Sequence, residues 1–167
     1  VTTPIDETIL STQFDLVDDM PTVLVFGGSR GAPAINEAIV SAIPRLIGQE
    51  FQVIVATGAT HYDEIVAQLP SMMGNVRVVP YIHNMPTLLR QVDLVVSRSG
   101  ATTLTELTAL GLPSVLIPSP YVTANHQEHN AMSLVNQGAA KMIKQVDLNG
   151  EVLAETLITI MTNRVLL

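Results

Sequence analysis

The sequence predicts an α/β domain in which a parallel, six-stranded sheet is doubly wound by helices. Short apolar runs recur along the chain, each followed by a turn rich in Gly, Pro or polar residues and then by a stretch of helical period. Strands separated by helices at this spacing require right-handed crossovers and therefore parallel pairing. Composition agrees: 47% of the residues are apolar, 14% are charged and 4% are aromatic, with no Trp. The core must then be built from Val, Ile, Leu, Ala and Met, as in strands buried on both faces. A length of 167 residues suits one such domain.

Residues 1–20 are polar, rich in Thr and Asp, and show no sustained period, so they read as an interdomain linker or lead-in to a domain over 21–167. Thr22 to Phe26 (TVLVF) is the first buried strand. After GGSRGAP, Pro33 opens a helix at a position where its missing N–H is harmless. Ile35, Ile39, Ala42, Ile43 and Leu46 share one face of that helix, and Pro44 is expected to distort it or end it early. The second unit pairs Gln52–Ala56 with a helix over about Thr60–Leu69. The third pairs Val76–Val79 with a short helix ending near Arg90. The fourth joins Leu94–Ser97 to a helix from about Thr102 to Leu110. The fifth joins Ser114–Ile117 to one from about Gln127 to Gln137. A sixth strand, Ala140–Ile143, leads to a last helix over about Leu148–Met161. Together these make one doubly wound, Rossmann-like sheet.

The net charge of −7 argues against nucleic acid as a partner, because a basic face is needed to meet phosphates. With no Cys, disulfides, thiolate metal sites and Cys nucleophiles are excluded. No apolar run reaches the length of a spanning helix, and no signal-peptide pattern opens the chain. A soluble intracellular domain is expected, and the start at Val1 rather than Met suggests a fragment.

Four segments carry the chemistry. Gly27-Gly28-Ser29-Arg30-Gly31-Ala32 follows a buried strand and precedes a helix. Glycines there let backbone approach a phosphate, and the helix start offers unpaired N–H groups. Ser29 adds a hydroxyl and Arg30 a positive charge; a tight turn without a ligand is the alternative. GGSRGA is also similar to the cofactor loop of short-chain dehydrogenases. Pro33, however, fills the third glycine position, and no Lys stands four residues after Tyr62, Tyr81 or Tyr121.

Ser97-Arg98-Ser99-Gly100-Ala101-Thr102-Thr103 follows the fourth strand, with Glu106 on the helix beyond it. Thr103 and Glu106, three apart, share a helix face, and a carboxylate there can accept from both hydroxyls of a ribose. The competing reading is a capping box closed by Thr102 or Thr103 with Glu106. Asn125-His126-Gln127-Glu128-His129-Asn130 follows a proline-rich turn. His126 and His129 have the spacing of a metal pair, but no third ligand is apparent. Gln127 and Asn130 suit sugar hydroxyls better. Last, Tyr81-Ile82-His83-Asn84-Met85 could flank a planar base, or be an ordinary strand-end turn.

In this order the four segments resemble the MurG family, peptidoglycan glycosyltransferases that add N-acetylglucosamine to lipid I. GGSRGA with Asn36, SRSGATTLTE, GLPSVLIPSP and HQ-x-x-NA match the C-terminal, donor-binding domain from about Pro21 to Ile143. The resemblance implies the C-terminal half of a two-domain GT-B fold, UDP-N-acetylglucosamine as donor, inversion at the anomeric carbon, and neither a donor-site metal nor another cofactor. It implies that Ser29 contacts the diphosphate and Arg98 supports that region, beside the turn of Ala101, Thr102 and Thr103. Ile82 would present its backbone to uracil, Glu106 would hold the ribose, and Gln127 with His126 would bind the N-acetylglucosamine hydroxyls. Asn130 would brace that loop.

Two departures stand out. Members carry a Gly-Asn-Pro-Val-Arg segment between the domains, whose Arg reaches the donor phosphates. Here Thr2-Thr3-Pro4-Ile5-Asp6 puts an acid in the Arg position, so that contact is absent or falls to Arg30. The N-terminal domain, which would hold lipid I and the catalytic base, is also missing, so no catalytic residue is expected in this chain. The implied setting is cell-wall biogenesis, and with it cell shape and division, at the cytoplasmic face of the bacterial membrane. A subunit of a split UDP-sugar glycosyltransferase and a non-catalytic nucleotide-binding domain are the alternatives.

Overall fold

The structure, a computed structural model, describes residues 9–28, 31–122 and 125–163. Six strands form one sheet: β1 (Thr22–Phe26), β2 (Gln52–Ala56), β3 (Val76–Val79), β4 (Leu94–Ser97), β5 (Ser114–Leu116) and β6 (Ala140–Met142). All neighbours are parallel, in the order β3-β2-β1-β4-β5-β6. The helices are α1 (Ile9–Phe14), α2 (Pro33–Leu46), α3 (Tyr62–Val66), α4 (Met85–Leu89), α5 (Ala101–Leu110), α6 (His126–Asn136) and α7 (Gly150–Thr162). A 3-10 turn, Gln145–Asp147, links β6 to α7.

The strand side chains alternate between two apolar layers, as period-two geometry requires. Val23, Val25, Val53, Val55, Val96 and Val115 face the layer built with α2 and α7. Leu24, Ile54, Val95 and Leu116 face the layer that includes residues of α1, α4, α5 and α6. All ten are at most 1% exposed, and each such burial stabilises the fold by about 1.5–3 kcal/mol. In the first layer α2 and α7 approach closely at Gly150, where a Cβ would stand 2.8 Å from the carbonyl carbon of Ser41. Asn149 caps α7, accepting from the Val152 N–H at 2.8 Å.

Pro44 does not shorten α2, which continues to Leu46. Lying in the last turn, the proline forfeits a single ladder bond, and the helix still closes through Ile47 N–H to Ile43 O at 3.0 Å. Full burial of Ile43 and Leu46 holds that turn against the core. Conversely α3 is shorter than its apolar pattern predicts. Beyond Val66 the chain tightens, with Gln68 N–H bonding to Ile65 O and Leu69 N–H to Val66 O, three residues back.

The second half of the lead-in is packed onto the domain. Ile9, Leu10 and Phe14 of α1, with Leu16, are buried in the second layer. Two strand residues hold the segment that follows. Gln52 accepts from Val17 N–H at 2.6 Å and donates to Val17 O at 2.8 Å. Arg77 donates to Phe14 O at 2.8 Å and Asp15 O at 2.9 Å.

Candidate functional site

The order of the strands locates the site. The chain steps outward from β1 through β2 to β3, then returns to place β4 on the other side of β1. The loops leaving β1 and β4 therefore run in opposite directions, and a crevice opens between them at the carboxyl edge of the sheet. Among the helices that start from loops at this edge are α2 after β1, α5 after β4 and α6 after β5. Their N-cap residues, Ala32, Gly100 and Asn125, make no side-chain capping bond. No cap side chain therefore occupies these helix starts, where the helix dipole favours an anion.

The glycine loop after β1 is shaped by close contacts. A Cβ on Gly27 would stand 2.9 Å from the Gly31 carbonyl carbon and closer still to Ala32. Gly31 has φ of 73°, and a Cβ there would lie 2.8 Å from Thr57 O. That same carbonyl accepts from the buried Asn36 Nδ2 at 2.9 Å, tying the first turn of α2 to the end of β2. Ser29 and Arg30, the loop's two expected ligand contacts, lie outside the described residues.

Along α5 the sequence's capping alternative fails. With Gly100 as N-cap, Ala101, Thr102 and Thr103 occupy the first turn and Glu106 the second, too far along for a capping box. Glu106 is exposed, as are Ala101 and Thr102, whereas the adjacent Leu107 is buried in the core. The carboxylate thus stands on the same helix as those first-turn amides, three residues from the Thr103 side chain.

Gln127 and the turn before α5 are bound to each other. Ser99 is fully buried and donates from Oγ to Gln127 O at 2.7 Å. Asn130, expected to brace this loop, donates from Nδ2 to Ser99 O at 3.2 Å. The Gln127 side chain accepts the Ser119 N–H at 2.9 Å. Only an amide oxygen can accept that proton, so Nε2 points elsewhere; it lies 3.9 Å from where a Cβ on Gly100 would sit. His126 begins α6 and is exposed.

Arg98 is half-buried and turns toward the next loop. Its guanidinium donates to Ile117 O and Pro118 O, each at 3.2 Å, and to Gln145 Oε1 at 2.6 Å. Burial pushes its pKa below the ordinary value, opposed by the charge interaction with Tyr121. Ile82, after β3, buries its side chain in the second layer, and among the described residues its backbone makes no hydrogen bond. Tyr81 and His83 flank it, ring edge to ring face at 5.2 Å.

The structure thus brings Gly100–Thr103, Glu106 and Gln127 to one edge, with Arg98 beneath them. Sequence reasoning missed Ser119 and Gln145. Ser119 contributes only its N–H, and Gln145 lies 47 residues from Arg98, so neither leaves a local signature. Among the described residues no group of three or more His, Asp and Glu is placed to hold a metal ion. None of the described helices is long and apolar enough to cross a membrane. A cavity of about 560 Å³ opens at the opposite edge, where Leu94, Ser114 and Ala140 begin their strands. It is mainly apolar and has no carboxylate in its wall.

The sequence matches the family described as "Glycosyltransferase family 28 C-terminal domain" over residues 22–165. The UDP-N-acetylglucosamine--N-acetylmuramyl-(pentapeptide) pyrophosphoryl-undecaprenol N-acetylglucosamine transferase of Lactiplantibacillus plantarum is 52% identical over 147 residues, 87% of this chain and 40% of the relative. The protein of the same name from Limosilactobacillus fermentum is 54% identical over 141 residues, 83% of this chain and 38% of the relative. Among solved structures, Acinetobacter baumannii MurG is similar with a TM-score of 0.79 at 32% identity, covering 99% of this chain and 50% of that one. The glycosyltransferase VinC, in complex with dTDP, shares the fold with a TM-score of 0.70 at 21% identity, covering 95% of this chain and 37% of VinC. The chain spans roughly two fifths of the length of the curated relatives it matches.

Proposed function

The chain belongs to the glycosyltransferase family 28 C-terminal domain family, and from that premise we propose that it is the donor-binding domain of an inverting glycosyltransferase. The enzyme transfers N-acetylglucosamine from UDP-N-acetylglucosamine to lipid I, making lipid II for peptidoglycan. The observation that carries the reading is the start of α5, which has no side-chain cap, carries Glu106 in its second turn and has the Gln127 amide beside its N-cap Gly100. A nucleoside diphosphate sugar needs those three functions side by side: an acceptor for ribose hydroxyls, donors for the diphosphate, and a polar group for the sugar.

In this reading Glu106 accepts from the ribose, and the amides of Ala101, Thr102 and Thr103 meet the diphosphate with Ser29 and Arg30. The Ile82 backbone meets uracil, and Gln127 with His126 meets the sugar hydroxyls. When the acceptor hydroxyl attacks the anomeric carbon, the bond to the diphosphate breaks and UDP leaves with its electron pair. Helix amides that stabilise the charge developing on UDP lower that barrier. The base that takes the acceptor proton belongs to a separate N-terminal domain, which also binds lipid I and works at the cytoplasmic face of the membrane. The 167-residue chain alone is therefore expected to bind donor without transferring it.

Calorimetry of the chain with UDP-N-acetylglucosamine, UDP-glucose, UDP and NADPH tests this. UDP compounds should bind, with preference for the N-acetylated sugar. Glu106→Ala should weaken them at least about tenfold, as expected for loss of a charge-assisted hydrogen bond. NADPH binding without UDP binding would overturn the proposal.

A further inference from the structure

We propose that Arg98 and Gln145 are positioning residues for sugar recognition: they latch the β5–α6 loop so that it holds Gln127 toward the donor. This rests on the donor-domain reading and departs from the expectation that Arg98 itself supports the diphosphate.

Ladder bonding at the end of β5 finishes with Ile117 N–H to Ser97 O and Ile143 N–H to Leu116 O, both 2.9 Å. The next two carbonyls, Ile117 O and Pro118 O, have run past the sheet. Pro118 and Pro120 have no N–H with which to anchor the loop. The Arg98 fork supplies the missing donors, 3.2 Å from each carbonyl. Gln145 fixes the fork from behind at 2.6 Å and reaches Tyr121 Oη at 3.4 Å, further along the loop. Between those two anchors lies Ser119, whose N–H sets the orientation of Gln127. A continuous path of bonds thus runs from the 3-10 turn after β6, through Arg98 and the loop, to the side chain assigned to the sugar. Lys cannot replace Arg98, because one ammonium cannot reproduce a planar fork that meets three oxygens at once. Gln145 adds no charge to the site, and its two side-chain bonds go to Arg98 and Tyr121, the two ends of the latch.

The test measures UDP-N-acetylglucosamine and UDP affinities for the full chain and for Arg98→Lys, Gln145→Ala, Gln127→Ala and the double variant Gln145→Ala/Gln127→Ala. Arg98→Lys and Gln145→Ala should each weaken UDP-N-acetylglucosamine on the order of five- to tenfold, the loss of about one hydrogen bond. UDP affinity should change less than about twofold, since no contact to the nucleotide is removed. The double variant should bind no more weakly than Gln127→Ala alone. Because Gln145 is only partly buried, its variant keeps the test open if Arg98→Lys folds poorly. A parallel loss of UDP and UDP-N-acetylglucosamine in Arg98→Lys, with Gln145→Ala unchanged, overturns the latch in favour of direct diphosphate contact. Additive losses in the double variant also overturn it. If the parent chain binds no UDP compound, the donor-domain reading fails and the latch with it.

Discussion

Replacing Gly31 with alanine probes the glycine loop at the point where its shape is most constrained. At φ of 73° the residue lies in the left-handed region, which costs an L-residue about 1–2 kcal/mol. The new Cβ would also meet Thr57 O at 2.8 Å. That carbonyl cannot retreat easily: Thr57 is fully buried, its N–H bonds to Val79 O at 3.0 Å, and its oxygen accepts from Asn36. Forcing an atom into such a contact costs roughly 1–3 kcal/mol. Gly31→Ala should therefore lose about 2–5 kcal/mol in all, readable as a drop of several degrees in Tm and a lower urea midpoint at constant slope. Gly111→Ala is the internal control, since its φ is 63° but nothing lies within 4 Å of the added Cβ. It should lose only the conformational part, about 1–2 kcal/mol. A Gly31→Ala loss no larger than that of Gly111→Ala would refute the close approach to Thr57.

Two further outcomes bear on the fold. The Ser114 hydroxyl is buried with no partner among the described residues, although it begins a central strand. Ser114→Ala should raise stability by about 1 kcal/mol in urea unfolding, and a comparable loss would mean the hydroxyl is satisfied after all. Leu10→Ala should cost about 2–5 kcal/mol, because Leu10 is 1% exposed between α1 and the second layer. A change below about 1 kcal/mol would show that α1 is not part of the cooperative unit.

The sequence by itself determined every strand to within a residue, because each is a short apolar run closed by turn chemistry, and both signals are local. It also marked the segments that lie at the carboxyl edge, since glycines, prolines and hydroxyls at strand ends signal strand-to-helix turns. Helix ends were less legible. Pro44 reads as a breaker until the burial of Ile43 and Leu46 is known, and Thr102, Thr103 and Glu106 read as a capping box until Gly100 is seen to be the cap. Residues 9–16 read as a linker because α1 is too short to display a period, and its anchors, Gln52 and Arg77, come from distant strands. Only the tertiary structure decided the strand order that opens the crevice beside β1. It alone showed Arg98 bonded to Gln145 and to the loop carrying Ser119. Those contacts join groups far apart in the chain through one or two hydrogen bonds each, and such bonds impose no periodicity on the residues between them.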